Sequence, residues 1–316
     1  MMTTPAEPGL AQPTSHIVAA SRVHFRPGAS LPQRQHVAVE VPVNLVYGTI
    51  PYAVMMASPD DLRDFAAGFS LTEGLIRNVS EIRSITVRPE DDGIIVDVTL
   101  EPGPFRRHLA RRRTLTGRTA CGTCGIETIA ELPRAEEGPR RRSAVSADAI
   151  LASLLSLEER QPLNALTRSV HAAAWCDPRG RIVTVREDVG RHNALDKLIG
   201  AVLRAGHDPA GGFILITSRA SFEMVEKAAA SGAGTLVSIS APTSYAVTRA
   251  ESLGLTLVSI ARRDGAVVFA GRLADDVPDE CAAEGSSSRL ATEAHQKPQE
   301  PESNLQRLGS LETESI

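Results

Sequence analysis

The spacing of apolar residues in the first third of the chain indicates short strands and one helix. Over Gly93 to Leu100, apolar residues occupy every second position, and this alternation predicts a half-buried strand. A second strand is predicted over Val37 to Tyr47. Ser58 and Pro59 are typical of the N-cap and the first residue of a helix, so we expect a helix to begin there. These elements predict a small α+β region over residues 16–103.

From residue 143 onward, helices and strands alternate. We predict a helix over 146–157, strands over 171–175 and 182–186, a helix that contains Leu195 to Leu203, a strand over 213–217, a helix through Met224 to Ala228, a strand over 235–240, a helix over 244–253, a strand over 255–260 and an edge strand over 267–269. This alternation implies a layered α/β domain over residues 143–281, with its sheet covered on both faces. The predicted fold class is therefore α/β, with the smaller α+β region in front of it.

Three other segments lack this regularity. Residues 1–15 and 282–316 carry too few apolar side chains to fold alone, so we predict disorder at both ends. Residues 104–142 contain ten arginines and a CxxC motif, and show no clear periodicity. We interpret this stretch as a long functional loop, because structureless connections of this length are uncommon inside compact domains.

Composition narrows the class of protein. The chain has 316 residues, of which 42% are hydrophobic, and this is enough to bury a sizeable core. The net charge of -4 argues against general binding to nucleic acid, and no aromatic residue is interleaved with the arginines to stack on bases. The sequence shows neither a signal peptide nor a membrane-spanning apolar run. With four cysteines, two of them in a close pair, these features predict a cytoplasmic protein.

The CxxC motif is the strongest candidate for chemistry. Cys121 and Cys124 lie in a loop with glycine and neighbouring arginines, and positive charge favours thiolate over thiol. A thiolate can accept sulfur from a donor persulfide and pass it on. Three other interpretations stay open: half of a zinc site, a thioredoxin-like dithiol, and a loop with two inert thiols.

A second candidate follows the strand predicted over 182–186. The segment from Arg186 to Lys197 leaves this strand and opens a helix, and helix N-termini at strand ends bind anions. Arg191, His192 and Lys197 could then hold phosphate, with Glu187 and Asp188 as acid or base. The competing interpretation is a capped, salt-bridged turn with a satisfied histidine. The arginines around the CxxC motif could likewise be a solvated face.

At these residues the chain resembles the formate dehydrogenase accessory sulfurtransferase family, FdhD. The resemblance rests on ACGTCG at Ala120 to Gly125, REDVGRHNALDKLIG at Arg186 to Gly200, TSRASFEMVEKAA at Thr217 to Ala229, SISAPTSYAV at Ser238 to Val247, GLTL at Gly254 to Leu257 and GFSLTEGLI at Gly68 to Ile76. It spans nearly all of residues 37–273.

The resemblance implies a sulfurtransferase with a persulfide on the catalytic Cys121, assisted or resolved by Cys124. Sulfur would come from a cysteine desulfurase and pass to the molybdenum cofactor, bis-molybdopterin guanine dinucleotide, which binds transiently on its way to the catalytic subunit of formate dehydrogenase. The resemblance also implies a homodimer and a cytidine-deaminase-like C-terminal domain without the deaminase zinc motif. The positions that match the cofactor-contacting stretch are Ala266, Val267, Val268, Phe269, Ala270 and Gly271, followed by Arg272. Arg191, His192 and Lys197 would hold the phosphorylated cofactor nearby.

Two further function classes compete with this expectation. One is a non-catalytic chaperone for the molybdenum cofactor or for formate dehydrogenase, in which the cysteines bind metal or brace a loop. The other is an RNA-binding module that uses the arginine loop. One departure from the family pattern also stands out, because Arg168 and Ser169 occupy positions where the family usually has two glycines.

Overall fold

The computed structural model describes residues 12–22, 31–114, 134–138 and 143–274. The strands in these ranges are β1 (Ser15–Arg22), β2 (Leu31–Ala38), β3 (Val41–Tyr47), β4 (Ile50–Ala57), β5 (Ile82–Glu90), β6 (Gly93–Leu100), β7 (His171–Cys176), β8 (Ile182–Asp188), β9 (Phe213–Ile216), β10 (Thr235–Ser238), β11 (Thr256–Arg262) and β12 (Gly265–Ala270). The helices are α1 (Leu62–Thr72), α2 (Pro102–Thr114), α3 (Ala147–Leu157), α4 (Pro162–Thr167), α5 (Arg191–Arg204), α6 (Phe222–Ala230) and α7 (Ser244–Ser252). Within the described ranges, no helix combines the length and the apolar character that a membrane crossing requires.

The N-terminal region is built on a four-stranded sheet in the order β4-β3-β6-β5. Strands β3 and β6 are parallel, and the two outer pairs are antiparallel. Helix α1 contributes Phe65 and Phe69 to the core of this sheet, together with Leu45 and Val96 from the central strands. The strand predicted over Gly93 to Leu100 is confirmed as β6, in which every second residue is buried.

Two predicted boundaries in this region are wrong. The single strand expected over Val37 to Tyr47 is divided between β2, which pairs with β1 in a separate two-stranded sheet, and β3. Helix α1 begins at Leu62, with Asp61 as N-cap in the left-handed region at φ 56°. Ser58 does not cap this helix, because its hydroxyl accepts a hydrogen bond from the backbone N–H of Val189 at 3.2 Å.

The C-terminal region contains a six-stranded sheet in the order β12-β11-β10-β9-β7-β8. Strands β9, β10 and β11 are parallel, whereas β7 and β12 run antiparallel to their neighbours. Every helix and strand predicted for this region is present, and β12 lies at the edge of the sheet as expected. The protein is therefore of the α/β class, while the cytidine-deaminase-like assignment stays a prediction.

Helices cover this sheet on both faces. Leu198 of α5 and Met224 of α6 pack over Ile214 on one face. On the other face, Ile150 of α3 packs over Leu215. This arrangement confirms the predicted layering. It also explains why every residue of β9 and β10 is buried, and why β9 is apolar along its whole length.

The two regions are joined by an unusually close contact between α1 and α5. A Cβ atom added to Gly68 would lie 1.9 Å from the backbone oxygen of Asp196, and one added to Gly200 would lie 1.9 Å from the backbone oxygen of Asp64. Glycine is required at both positions because the helix backbones touch there. The contact fixes the N-terminal region against the α/β domain, and Asp64 adds ion pairs to Arg186 and Arg204.

The predicted arginine-rich loop over 104–142 begins as a helix. Helix α2 runs from Pro102 to Thr114, so the loop prediction is wrong for residues 104–114. Proline is well suited to the first turn of a helix, so Pro102 is a helix signal that is independent of apolar periodicity. The rest of the predicted loop, apart from residues 134–138, lies outside the described residues, as do most of residues 1–15 and all of 282–316. Those domain boundaries stay predictions.

Candidate functional site

The ends of several strands meet at one edge of the six-stranded sheet. Because β8 runs in the same direction as β9 and β10, the segments 188–192, 217–222 and 238–245 follow these three strands at a common edge. We call these three segments the carboxyl edge. His171, the first residue of β7, lies at the same edge and pairs with Asp188. Ligands of open α/β sheets generally bind at such an edge.

Half of the segment Arg186 to Lys197 is buried and structural. Lys197 and Asp188 are both 0% exposed in their side chains, and the ammonium Nζ lies 2.6 Å from Oδ2 of Asp188. The same carboxylate oxygen accepts a hydrogen bond from the backbone N–H of Ser58 at 3.0 Å, and Nζ of Lys197 donates to the backbone oxygen of Ser58 at 3.0 Å. Asn193 donates both to Asp188 and to the backbone oxygen of Met56. We call this set of residues the polar clamp, since it ties the β4–α1 connection to the β8–α5 turn.

The polar clamp corrects the predicted roles of three residues. Lys197 is a partner of Asp188 and has no exposure to a ligand, so it does not supply the predicted phosphate contact. Asp188 is equally enclosed and is not placed to act as acid or base. Glu187 accepts hydrogen bonds from the backbone N–H groups of Leu163 and Asn164, and so caps α4. For these residues the capped, salt-bridged turn is the correct interpretation.

The less buried half of the segment carries Arg191 and His192, both partly exposed, at the first turn of α5. Nε2 of His192 lies 3.2 Å from Oε2 of Glu223, and this hydrogen bond lowers the pKa of Glu223 to about 2, so the carboxylate stays ionised. Burial and the charges of Arg191 and His192 lower the pKa of His171 below its ordinary value. Burial is the largest cause of the His171 shift, and the neighbouring positive charge adds to it.

The segments after β9 and β10 complete the carboxyl edge. They run side by side, with a parallel bridge between Ala220 and Pro242. Arg219 is exposed on the first of them. The ring of Phe222 stacks on the ring of Tyr245, with centroids 4.7 Å apart and planes inclined by 11°. Sequence reasoning gave these residues no role, although their position directly after two short buried strands could have indicated them.

The predicted cofactor-contacting stretch lies elsewhere. Strand β12 occupies one edge of the sheet and β8 the other, and five strand spacings separate them by roughly 24 Å. The side chains of Val267 and Val268 are 45% and 36% exposed, whereas Ala270 is buried. Gly271 has φ 73° and lies against Thr256, so a larger residue would be strained there. The structure therefore does not bring the 266–272 stretch together with Arg191 and His192.

The CxxC motif lies outside the described residues, and so does Cys281. Residues 134–138, which follow the motif in the chain, are described, and hydrogen bonds anchor them to α6 and α7. The backbone N–H of Ala135 donates to Glu226 at 2.6 Å, and Arg249 donates to the backbone oxygen of Ala135 at 2.9 Å. Arg249 also pairs with Glu226 and Glu137, and it is 5% exposed. This buried ion pair between α6 and α7 fixes one stem of the cysteine-bearing segment.

Cys176 differs from the cysteines of the motif in its surroundings. It is fully buried, and burial raises the pKa of its thiol to about 12. A thiol in this state is neither a nucleophile nor a ready metal ligand. Among the described residues, no three side chains of His, Cys, Asp or Glu are grouped as a metal site. The zinc alternative for Cys121 and Cys124 stays open.

The chain still turns after α4, although Arg168 and Ser169 stand where the family usually has two glycines. Arg168 follows α4 in the left-handed conformation, at φ 53° and ψ 28°, and its N–H bonds to the backbone oxygen of Asn164. The turn therefore exists with arginine in place of glycine, at some cost in backbone strain. It leads directly into His171 at the carboxyl edge.

These features define a layered α/β protein with a polar, cationic carboxyl edge and a small N-terminal sheet held by a polar clamp. Comparison with known proteins gives the family. The sequence pattern of the FdhD/NarQ family matches residues 38–274, and the chain belongs to this family.

Named relatives agree with this placement. The chain is 45% identical to the "Sulfur carrier protein FdhD" of Cupriavidus necator over 267 residues, which is 84% of this chain and 92% of the relative. It is 44% identical to the protein of the same name from Bordetella petrii over 237 residues, 75% of this chain and 85% of the relative. A crystal structure from Desulfotalea psychrophila, described as a candidate formate dehydrogenase accessory protein, superposes with a TM-score of 0.65 at 26% identity. The superposition covers 82% of this chain and 98% of the chain in that crystal structure.

Proposed function

We propose that the protein is a sulfurtransferase that carries a persulfide on Cys121. It accepts sulfur from a cysteine desulfurase and delivers it to the molybdenum cofactor, bis-molybdopterin guanine dinucleotide, for formate dehydrogenase. The observation that carries this proposal is the family match over residues 38–274, which includes the CxxC motif. Relatives that match over most of their length are named sulfur carrier proteins.

In this proposal, sulfur passes through the two thiols in two steps. The thiolate of Cys121 attacks the terminal sulfur of the donor persulfide, the donor S–S bond breaks, and the donor cysteine leaves as a thiolate. Cys121 then carries the extra sulfur. Cys124 attacks the sulfur of Cys121, which forms a disulfide and releases the terminal atom as hydrosulfide to the acceptor. The two cysteines supply the two electrons for this reduction, and a dithiol reductant restores them.

The cofactor has two guanine dinucleotide arms, and this fits two separate sets of predicted contacts. We propose that residues 266–272 hold one arm and that Arg191 and His192 hold phosphates of the other. Guanidinium groups pair well with phosphate oxygens. Lys197 is left out of this set, because its ammonium is buried against Asp188.

The proposal is tested by mass spectrometry of the intact protein after incubation with a cysteine desulfurase and cysteine. We expect an adduct of about 32 Da, the mass of one sulfur atom, which dithiothreitol removes. Cys121→Ala should abolish the adduct, whereas Cys124→Ala should retain it and fail to release hydrosulfide. An adduct that survives in Cys121→Ala contradicts the assignment.

Metal analysis of the same samples separates the proposal from its alternative. One stoichiometric zinc ion without any persulfide would favour the non-catalytic chaperone. We propose in addition that the protein acts in the cytoplasm. We also propose that it is a homodimer, and analytical ultracentrifugation tests this oligomeric state directly. We further propose that the protein binds the catalytic subunit of formate dehydrogenase.

A further inference from the structure

Strand β5 is an outer strand of the N-terminal sheet and is paired on one side only. Among the described residues it pairs with β6, and no strand lies along its other side. With nine residues, β5 is also the longest strand of this sheet. The outer side of such a strand presents a row of backbone N–H and C=O groups that can pair with another extended chain.

The register of the β5–β6 hairpin shows which backbone groups point outward. A two-residue turn joins the strands, and Glu90 pairs with Gly93 beside this turn. In an antiparallel ladder, pairs that exchange hydrogen bonds alternate with pairs that do not, and the pair that flanks a two-residue turn is of the first kind. The N–H and C=O groups of Ile85 and Val87 therefore point away from β6. Pro89 has the same parity and lacks an N–H group, as is usual for proline in an outer strand.

A cleft of about 510 Å³ lies against this free side of β5. It is lined by residues 82–86 of β5, by Val79, by Arg63 near the start of α1 and by Arg204 at the end of α5. Part of the lining is apolar, because Ile82 and Ile85 pack, partly buried, against the core of the N-terminal sheet. A volume of this size is within the range of ligand clefts, roughly 300–1,000 Å³.

The charged part of the lining is entirely cationic. It contains Arg63, Arg83 and Arg204, and no acidic residue lines the cleft. Arg83 pairs with Glu101 and Arg204 pairs with Asp64, yet the two arginine side chains stay 56% and 41% exposed. A guanidinium group has five N–H donors, so each arginine keeps donors for a ligand after one ion pair is formed. The cleft therefore favours acidic side chains.

We propose that the free side of β5 is a docking site for a partner protein, which adds an acidic, extended segment to the N-terminal sheet as a fifth strand. The backbone of this segment pairs with Ile85 and Val87, and its carboxylates contact Arg63, Arg83 and Arg204. The inference goes beyond the proposed function, because it involves neither the cysteines nor the predicted cofactor contacts.

The chemistry of this surface selects an acidic strand over two other occupants. Two copies of this chain paired through β5 would bring two cationic linings together, and like charges oppose such a pairing. A free phosphate group would satisfy the arginines but offers no N–H donor to the outward C=O groups of Ile85 and Val87. An acidic strand satisfies the arginines and also the alternating backbone donors and acceptors.

The test is calorimetry of the full-length protein with three short synthetic peptides. The first alternates Glu and Val, the second is the same peptide methylated at every backbone nitrogen, and the third alternates Lys and Val. At low ionic strength the acidic peptide should bind, with an affinity that falls as salt is added, and the basic peptide should not. The methylated peptide should bind at least about tenfold more weakly, because it has no N–H groups to donate to β5.

Amide hydrogen exchange, followed by NMR, locates the contact on β5. In the free protein the amides of Ile85 and Val87 should exchange fast, since they point away from β6. The acidic peptide should slow both of them about tenfold or more. The amides of Thr86 and Arg88 serve as internal controls, because their register assigns them to β6 in the free and the bound protein.

Variants of the cationic lining complete the test. Arg63→Ala and Arg83→Ala should each raise the Kd for the acidic peptide about threefold, and the double variant about tenfold, as expected for exposed charge contacts. Arg179→Ala is the matched control, because Arg179 is an exposed arginine of the β7–β8 turn that does not line the cleft. Its Kd should equal that of the native protein.

Four results would overturn the proposal. These are equal affinity for the acidic and the methylated peptide, equal affinity for the acidic and the basic peptide, unchanged exchange at Ile85 and Val87 in the complex, and native affinity in the double variant. Exchange at these two amides that slows with protein concentration alone would instead assign the surface to a second copy of the chain. None of these measurements uses the sulfur adduct, so their failure leaves the proposed function standing.

Discussion

Replacement of Lys197 by methionine tests whether the polar clamp is structural. In Lys197→Met, the carboxylate of Asp188 stays fully buried without its cation, and loss of one partner of a buried ion pair costs about 3–5 kcal/mol. Asp188 keeps the hydrogen bonds from the N–H groups of Ser58 and Gly190 and from Asn193. We therefore expect the lower end of this range, about 3 kcal/mol.

The assay is urea denaturation followed by circular dichroism, together with calorimetry. At 2–4 °C per kcal/mol for a domain of this size, a loss of about 3 kcal/mol lowers the Tm by roughly 6–12 °C. The matched control is Arg191→Ala on the same helix, which changes a partly exposed side chain outside the polar clamp and should cost less than about 0.5 kcal/mol. A double variant, Asp188→Asn with Lys197→Met, should lose less than the sum of the two single variants, because no charge is left buried.

A different pattern would refute this reasoning. If Lys197→Met kept its stability within about 1 kcal/mol and instead lost affinity for GDP, Lys197 would be the phosphate ligand predicted from the sequence. Stability lost with GDP affinity retained below the Tm is the expected result.

Four other predictions concern separate parts of the fold. Arg168→Gly should stabilise the protein by about 0.5–1 kcal/mol in urea unfolding, because glycine relieves the left-handed strain at φ 53°; a loss of stability would contradict this. Gly200→Ala should destabilise by roughly 1–3 kcal/mol, since its Cβ would meet the backbone oxygen of Asp64, and an unchanged urea midpoint would show that α1 and α5 can separate freely. The pKa of His171 is lowered in the folded state from its ordinary 6.5, so the unfolded chain takes up a proton first and stability falls as pH drops below about 6.5; His171→Asn should remove this part of the pH dependence between pH 7.5 and 5.5. Arg249→Met should release the stem at Ala135, seen as faster limited proteolysis at residues 134–138 while the helices and strands of residues 143–274 stay resistant.

Much of the architecture could be predicted from residue patterns. The α/β alternation after residue 143 could be predicted from the periodicity of its helices and strands, and the helix predicted from residue 146 is α3, which Ser146 caps. The start of α1 was misplaced because Ser58 has the sequence signature of a cap but hydrogen-bonds Val189, which is distant in sequence. Helix α2 was missed because its arginine-rich sequence has no apolar stripe.

The candidate site was predictable in its chemistry and not in its geometry. Arg191 and Lys197 look equivalent in sequence, as cations near the start of one helix. Six residues correspond to 600° of rotation, or 240° beyond one full turn, at 3.6 residues per turn, and this places the two side chains on different faces of the helix. Tertiary packing then decides which cation is buried against Asp188 and which faces solvent.

The sequence by itself determined the α/β class, the family and the two thiols on which the proposed chemistry rests, because these depend on local periodicity and on residue identity. Tertiary structure alone decided that β12 and β8 are the two outer strands of one sheet. It also decided that Arg219 and Tyr245 lie at the carboxyl edge together with Arg191. Strand order depends on pairings between segments far apart in the chain. Those pairings are selected by the combined burial of both faces of the sheet, which no single segment encodes.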